Sequence, residues 1–583
     1  MKQKRWSLKN IEERKVNKLV QDLQISDFLA RIICARDIDI SNVESFLNPS
    51  LKNNLPSPFE IKDMSLAVDR ISKAFLKKEK IAIFGDYDVD GATSSALLYK
   101  SFTQFGIIPT IYIPDRQKEG YGPNKKALKS LKAQGTNLVI TVDCGITSFD
   151  ELDYAKEINL DVIVVDHHVP EAKLPNAIAL VNPNRIDDPT NLGMLAAVGV
   201  SFMLIGALKN KLQSIGYLKE KDSINLSSIL DLVALGTICD VVPLIGPNRA
   251  FVKHGLKVMS KRQNIGIDAL FKISEIEDFP SVFHAGFILG PRINAGGRVG
   301  ESDLGAKLLT TDDDAYAKDI SIHLNTLNEE RKKLESNVLD EAVKMAKNYE
   351  DSNVLVLHGK NWHPGVIGIV ASRIVEQFNK PTIIIAENDN ESKGSGRSVS
   401  GKDIGSMITA AKQSGILVNG GGHPMACGLT INSDRINELR TFLNNLSNRS
   451  NNLVKNYLID MAISVSGAIP DLIKELSLIE PFGAGNPEPK FIIKDVNLFN
   501  SKIVGEKHVK CSISDSTNRR LDAIAFRSVG TALGKSLLNN YHAHVIGRLK
   551  ISEWNGRENI QMHIEDVIAV SYTHLTLPTK RIV

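Results

Sequence analysis

Three apolar runs in this chain end in acid: IAIF leads to Asp86, Asp88 and Asp90, LVITV to Asp143, and VIVV to Asp166 with His167 and His168. A carboxylate taken out of water is heavily penalised, and several held together repel one another unless protons or cations neutralise them. Acids gathered at the ends of buried strands therefore call for a metal. Oxygen-rich ligand sets with one or two imidazoles suit Mn²⁺ or Mg²⁺, and a paired site of that kind serves phosphoester hydrolysis.

In GDYDVDG the aspartates alternate with Tyr87 and Val89, which puts their carboxylates on one side of extended backbone, while Gly85 and Gly91 permit tight turns. The competing reading is a solvated acidic loop or a helix N-cap. Adjacent histidines in VVDHH point to different sides, so His167 can ligate metal while His168 faces a substrate. Asp166 can fix an imidazole tautomer from behind. Asp143, at the end of the middle run, is placed to bridge two ions.

These side chains need a scaffold, and the pattern supplies one. From Ile81 the chain repeats strand, turn and amphipathic helix: IAIF then Ala92 to Phe105, TIYI then Lys125 to Ala133, LVITV then Phe149 to Ile158, then VIVV and AIALV. Continuous apolar strands alternating with helices imply a parallel sheet covered on both faces, with ligands beyond the carboxyl ends of the strands. Residues 1–75 read as a helical cap on the α/β domain that follows, 76–315. The stretch 316–350 reads as one long connecting helix, and 351–450 as a smaller α/β domain. Short strands separated by turns over 456–570 suggest a small β-barrel of OB-fold type. The last residues, 571–583, break that pattern and read as either a natural tail or read-through unrelated to the fold.

At 583 residues the chain is too long for one hydrophobic core. A net charge of only +4 means that nucleic-acid binding must rest on local basic patches. The 5 cysteines are scattered without a CxxC pair, which fits a reducing compartment and disfavours structural zinc. No signal peptide or membrane span is evident, so a cytoplasmic location away from membranes is expected.

GDYDVDG, TVDCGIT, VVDHH and ALGTICDVVPL, in that order, resemble the motifs of the DHH phosphoesterase superfamily. The resemblance implies that Asp86, Asp88, Asp90, Asp143, His167 and Asp240 hold two Mn²⁺ or Mg²⁺ ions, with His168 near the scissile phosphate. It selects Asp240 over Asp231, which is left a structural role. NGGGHPMACGLT resembles the signature of the DHH-associated domain, in which the N–H groups of Gly420, Gly421 and Gly422 cradle a phosphate and His423 donates to it.

Further segments, GPRINAGGRVG, NWHPGVIGIVASRI, KGSGRS and EPFGAGNPEP, are similar to the RecJ family of bacterial exonucleases. That resemblance implies 5′-to-3′ degradation of single-stranded DNA to mononucleotides in DNA repair and recombination, with the strand encircled by three domains. Arg116, Ser395 and Arg397 would hold the terminal 5′ phosphate, and Arg292 and Arg298 would contact the backbone near the cleaved bond. Phe526, Tyr541 and Trp554 are candidate stacking surfaces. The expected partners are single-stranded DNA, a helicase and a single-strand-binding protein, with the enzyme a monomer. Two alternatives are a DHH-family phosphodiesterase acting on short oligonucleotides or small nucleotides, and a non-catalytic replisome scaffold.

Overall fold

The computed structural model describes residues 5–116, 118–219, 225–447, 456–539, 541–554 and 557–570, with the side chains of 553–558 excepted. The chain divides into two units, one of residues 58–240 with 255–455 and one of residues 1–57 with 241–254 and 456–583.

In the first unit five parallel strands form a sheet in the order Thr110–Tyr112, Ile81–Gly85, Leu138–Val142, Asp161–Val165, Ala179–Val181. The three inner strands are buried almost throughout, which is why their sequences are continuous apolar runs. Helices Val89–Gln104, Lys125–Ala133 and Phe149–Glu157 follow the strands at the expected places. The chain leaves its first strand, lays the second on one side and the third on the other. Strand order therefore reverses between Ile81–Gly85 and Leu138–Val142, and a reversal of that kind opens a crevice at the carboxyl ends.

A 34-residue helix, Asp314–Lys347, leads from this domain to the next. Its later part buries Val338, Ala342 and Ala346 against a second sheet domain. That sheet has the order Asn419–His423, Ala426–Asn432, Glu391–Arg397, Thr382–Glu387, Leu355–Lys360, and only the last two strands are parallel.

The second unit is built on a barrel. Strands Phe491–Val504, His508–Ser514, Arg520–Ala525, Arg557–Ala569 and His542–Trp554 pair in that order, and the last pairs with the first to close the ring. Five strands closing in this order are the OB arrangement the sequence suggested.

The start of the chain departs from expectation. Residues 5–57 group with the barrel and not with the sheet domain that follows them in sequence. Val16, Leu19, Leu29, Ile32, Ile33 and Val43 share one core with the barrel's Phe491, Val509, Val545 and Met562. Strand Arg5–Leu8 pairs in parallel with Asn456–Ile459. The rest of the presumed cap belongs with the sheet domain, where Asp63, just before helix Met64–Lys77, receives a 2.6 Å hydrogen bond from Arg185. The tail, 571–583, lies outside the described residues.

Candidate metal centre

The acids sit where the strand order reverses. Asp86, Asp88 and Asp90 follow the strand Ile81–Gly85, and Asp143 follows its neighbour Leu138–Val142. Asp143 adopts a left-handed backbone with φ 61°, a conformation costly for a residue with a Cβ and found where surrounding structure enforces it. Gly91 allows the first loop to close on itself, since a Cβ there would lie 2.4 Å from the Asp86 carbonyl oxygen.

Several of these carboxylates do two jobs. Asp88 caps helix Val89–Gln104 by accepting from the Gly91 N–H, and it also lies in a group that could hold a metal ion. Asp90 accepts from the N–H groups of Ala197 and Val198. Asp166 is saturated: Oδ1 accepts from the His167 and His168 N–H groups and from His168 Nδ1 at 2.8 Å, and Oδ2 accepts from the Ile146 N–H. It supports the histidines from behind, as its place in VVDHH suggested.

His167 Nε2 stands 3.4 Å from Asp143 Oδ1, 3.6 Å from Asp240 Oδ2 and 3.9 Å from Asp90 Oδ2. Asp240 Oδ2 is buried and, among the described residues, has no hydrogen-bond partner. Ligand atoms converge in three groups: Asp86 with Asp88 and Asp143, Asp90 with His167 and Asp240, and Asp143 with His167 and His168. The first two groups share no residue. Asp143 is common to the first and third, which sets it between the two ligand sets.

The electrostatics ask for cations. Burial, then the charge of neighbouring aspartates, raises the carboxyl of Asp90 to about 7 and that of Asp240 to about 9, and raises Asp86 and Asp143 well above the carboxylate range. Burial and the nearby His168 lower the His167 imidazole to about 4, which leaves it neutral and able to ligate. Burial, the largest single influence, opposes charge on His168, but the bond to Asp166 together with the charges of Asp166, Asp240 and Asp86 lifts that imidazole to about 9. His168 is therefore a cation suited to a phosphate. Crowded acids, a neutral imidazole and an orphaned carboxylate oxygen fit a divalent metal.

Cations without counter-charges lie nearby. The Arg116 guanidinium rests 4.9 Å from the centroid of the Tyr87 ring. Arg298 donates to the Gly365 carbonyl, and burial and then the charges of Arg116 and Arg331 lower it to about 10. Arg397 donates to Ser395 Oγ at 3.2 Å. Both reach the first turn of helix Ile367–Phe378, where a Cβ on Gly368 would meet Ser395 Oγ at 3.1 Å and Arg397 Nη2 at 3.3 Å. That helix has no side-chain N-cap, which leaves its first N–H groups without a side-chain acceptor beside Ser395 and Arg397. Among the described residues none of Arg116, Arg298 and Arg397 pairs with a carboxylate.

Three known domains match the chain: the DHH family N-terminal domain over residues 80–237, the DHHA1 domain over 351–448 and the RecJ OB domain over 459–566. The single-stranded-DNA-specific exonuclease RecJ of Bacillus subtilis is 33% identical over 587 residues, covering 99% of this chain and 72% of that protein. The chain belongs to the RecJ family. RecJ from Thermus thermophilus crystallised with Mn²⁺ has a TM-score of 0.83 at 27% identity, covering 97% of this chain and 80% of that one. The same protein with Mg²⁺ gives 0.76 at 25%, covering 97% and 79%.

Not every residue singled out in the RecJ motifs stands as expected. Gly420, Gly421 and Gly422 lie in the edge strand Asn419–His423, paired with Ala426–Asn432. Register runs Gly421 to Gly428 to Ser395 across three strands, so these positions share a face. On that face a Cβ at Gly421 or Gly428 would meet nothing within 4 Å, leaving a bare stripe between exposed His423 and the Ser395–Arg397 corner. Arg292 is held by Asn325 and the Ile288 carbonyl, on the helix that carries Arg298. Phe526 is exposed, with the His508 and His563 rings 5.1 and 5.0 Å away. Tyr541 packs against the barrel core instead, and the Trp554 side chain lies outside the described residues.

Other contributors carry no motif. Tyr121 Oη donates to the Asp143 carbonyl at 3.0 Å and lies 3.4 Å from His168 Nδ1. Asn182 and Asn184 donate to the carbonyls of His168 and His167. NPN at 182–184, after the last strand of the sheet, was the available signal.

Proposed function

We infer that this protein is a metal-dependent exonuclease that hydrolyses single-stranded DNA from the 5′ end to mononucleotides, in DNA repair and recombination. The observation that carries the reading is the pair of separate ligand groups at the sheet's reversal point, beside arginines that, among the described residues, form no ion pair with a carboxylate. Asp86, Asp88 and Asp143 would hold one ion and Asp90, His167 and Asp240 a second, with Asp143 lying between the two sets. Mn²⁺ or Mg²⁺ bound there would supply Lewis-acid activation of water and charge neutralisation at the phosphorus.

The chain's own side chains do the rest. His168, held cationic by Asp166, donates from Nε2 toward a non-bridging phosphate oxygen, and its geometry is fixed because Nδ1 is already committed. Arg298 and Arg292 contact the backbone near the scissile bond. Arg116, Ser395 and Arg397, with the first turn of Ile367–Phe378, hold the terminal 5′ phosphate, and this end recognition sets polarity. The bare glycine stripe lets a nucleotide backbone approach closely beside His423. Phe526 offers its exposed ring to a base. The protein works as a monomer in the cytoplasm, on strands that a helicase opens and a single-strand-binding protein covers.

A time course on single strands labelled at either end, with duplex as control and with EDTA followed by Mn²⁺, tests the reading. Release of mononucleotides from the 5′ end of single strands, abolished by EDTA and restored by Mn²⁺, is expected. Release from the 3′ end, or equal attack on duplex, overturns it.

A further inference from the structure

Tyr87 stands between two aspartates of the metal loop, yet its ring is engaged elsewhere. One contact is the Arg116 guanidinium, 4.9 Å from the ring centroid. The other is helix Gly290–Val299, where a Cβ on Gly297 would lie 3.1 Å from Tyr87 Cδ2 and 3.2 Å from its Cβ. Only glycine lets the ring lie that close. The loop is fastened to the same helix by the Val89 N–H, which donates to Asn294 Oδ1 at 3.1 Å.

Arg116 needs such a support. It sits in a turn beyond the strand Thr110–Tyr112, its own N–H donates to Ser302 Oγ at 3.3 Å, and the charge of Arg298 acts against it. A carboxylate would hold it but would also occupy the donors and cancel the charge. An aromatic face attracts the guanidinium while leaving its N–H fork free for a phosphate.

We propose that Tyr87 is a positioning residue that aims Arg116 at the terminal phosphate and so sets the enzyme's preference for 5′-phosphorylated over 5′-hydroxyl strands. This rests on the reading of Arg116 as a phosphate ligand. Because Tyr87 also lies between Asp86 and Asp88, end recognition and metal binding share one short loop.

The test is steady-state kinetics of the full chain with Mn²⁺ on matched 5′-phosphate and 5′-hydroxyl single strands, for Tyr87→Phe, Tyr87→Leu, Arg116→Ala and the Tyr87→Leu/Arg116→Ala double variant. Tyr87→Leu is expected to lower the phosphate-to-hydroxyl ratio of kcat/KM by about tenfold, chiefly through KM. Tyr87→Phe, which keeps the ring, keeps the ratio, and the double variant falls no further than Arg116→Ala. A Tyr87→Leu enzyme that slows on both strands in parallel, or a Phe variant as impaired as Leu, overturns the proposal. If Arg116→Ala itself keeps the ratio, the phosphate reading of Arg116 fails, a result distinguishable from failure of Tyr87 alone.

Discussion

Asp90 accepts a 2.7 Å hydrogen bond at Oδ2 from the N–H of Ala197, the first residue of the buried helix Ala197–Ser214. Val198 donates to Oδ1 at 2.9 Å, and the helix has no side-chain cap of its own. A carboxylate of the candidate metal site is thus also the anchor of a structural helix. Asp90→Ala should lose activity and, in EDTA, also lose about 2 kcal/mol of stability. Asp90→Asn keeps an acceptor and should lose activity with less than about 1 kcal/mol of destabilisation. Thermal unfolding of the three metal-free proteins checks this, and equal stability of Ala variant and wild type would count against the cap.

Metal binding should be visible without turnover. A ligand that binds only the folded state stabilises it by mass action, about 2.7 kcal/mol at a hundredfold excess over Kd. Mn²⁺ added after EDTA should therefore raise the unfolding midpoint. Asp143→Asn and His167→Ala should lose most of that rise along with cleavage, since each belongs to two of the three ligand groups. A full Mn²⁺ shift in both variants would refute the ligand set.

The glycine stripe predicts opposite behaviour at adjacent positions. A Cβ on Gly421 meets nothing within 4 Å, whereas one on Gly422 would lie 2.3 Å from the Ala426 carbonyl oxygen, at φ 158°. Gly421→Val should leave stability within about 1 kcal/mol of wild type and weaken single-strand binding. Gly422→Ala should destabilise by about 1–3 kcal/mol. Melting curves and fluorescence anisotropy with a labelled strand separate the two effects.

Asp231, buried in helix Leu230–Cys239, offers a pH test away from the metals. Burial raises its carboxyl from 3.8 to about 6, against a backbone hydrogen bond from Leu232 and the charge of Lys100. The folded state then binds the proton more tightly than the unfolded chain. Its contribution to stability is greatest below the unfolded pKa, falls as pH rises through the folded value, and is flat above, a loss on the order of 3 kcal/mol. Asp231→Asn should cleave normally and be more stable relative to wild type at pH 7.5 than at pH 4.5. Urea unfolding at both pH values measures the difference, and a pH-independent offset would contradict it.

The candidate metal centre was legible because its physics is local. IAIF, LVITV and VIVV announce buried strands, and acid at the end of a buried strand is costly enough to need a reason. The asparagines behind the histidines and the cap role of Asp90 were hidden, since a partner such as Ala197 contributes only a backbone N–H, which every residue but proline has. That Gly420 to Gly422 form an edge strand was hidden too, because glycine disfavours strands and only the pairing with Ala426–Asn432 overrides that tendency. The partner of residues 1–57 was illegible for another reason. An amphipathic helix declares that it has an apolar face and says nothing of what covers it.

That last pairing has a consequence for synthesis. Lys9 donates its N–H to the Ile459 carbonyl, and Leu29 and Phe491 share one core, so contacts of this unit close loops of more than four hundred residues. During translation the helices carrying Val16, Leu19, Ile32 and Ile33 emerge early with their apolar faces uncovered. The sheet domains between can collapse first, because their contacts are nearer in the chain. A ribosome that stalls before Asn456 would release a nascent chain with folded catalytic machinery and a sticky leading end, the kind of intermediate that chaperones hold.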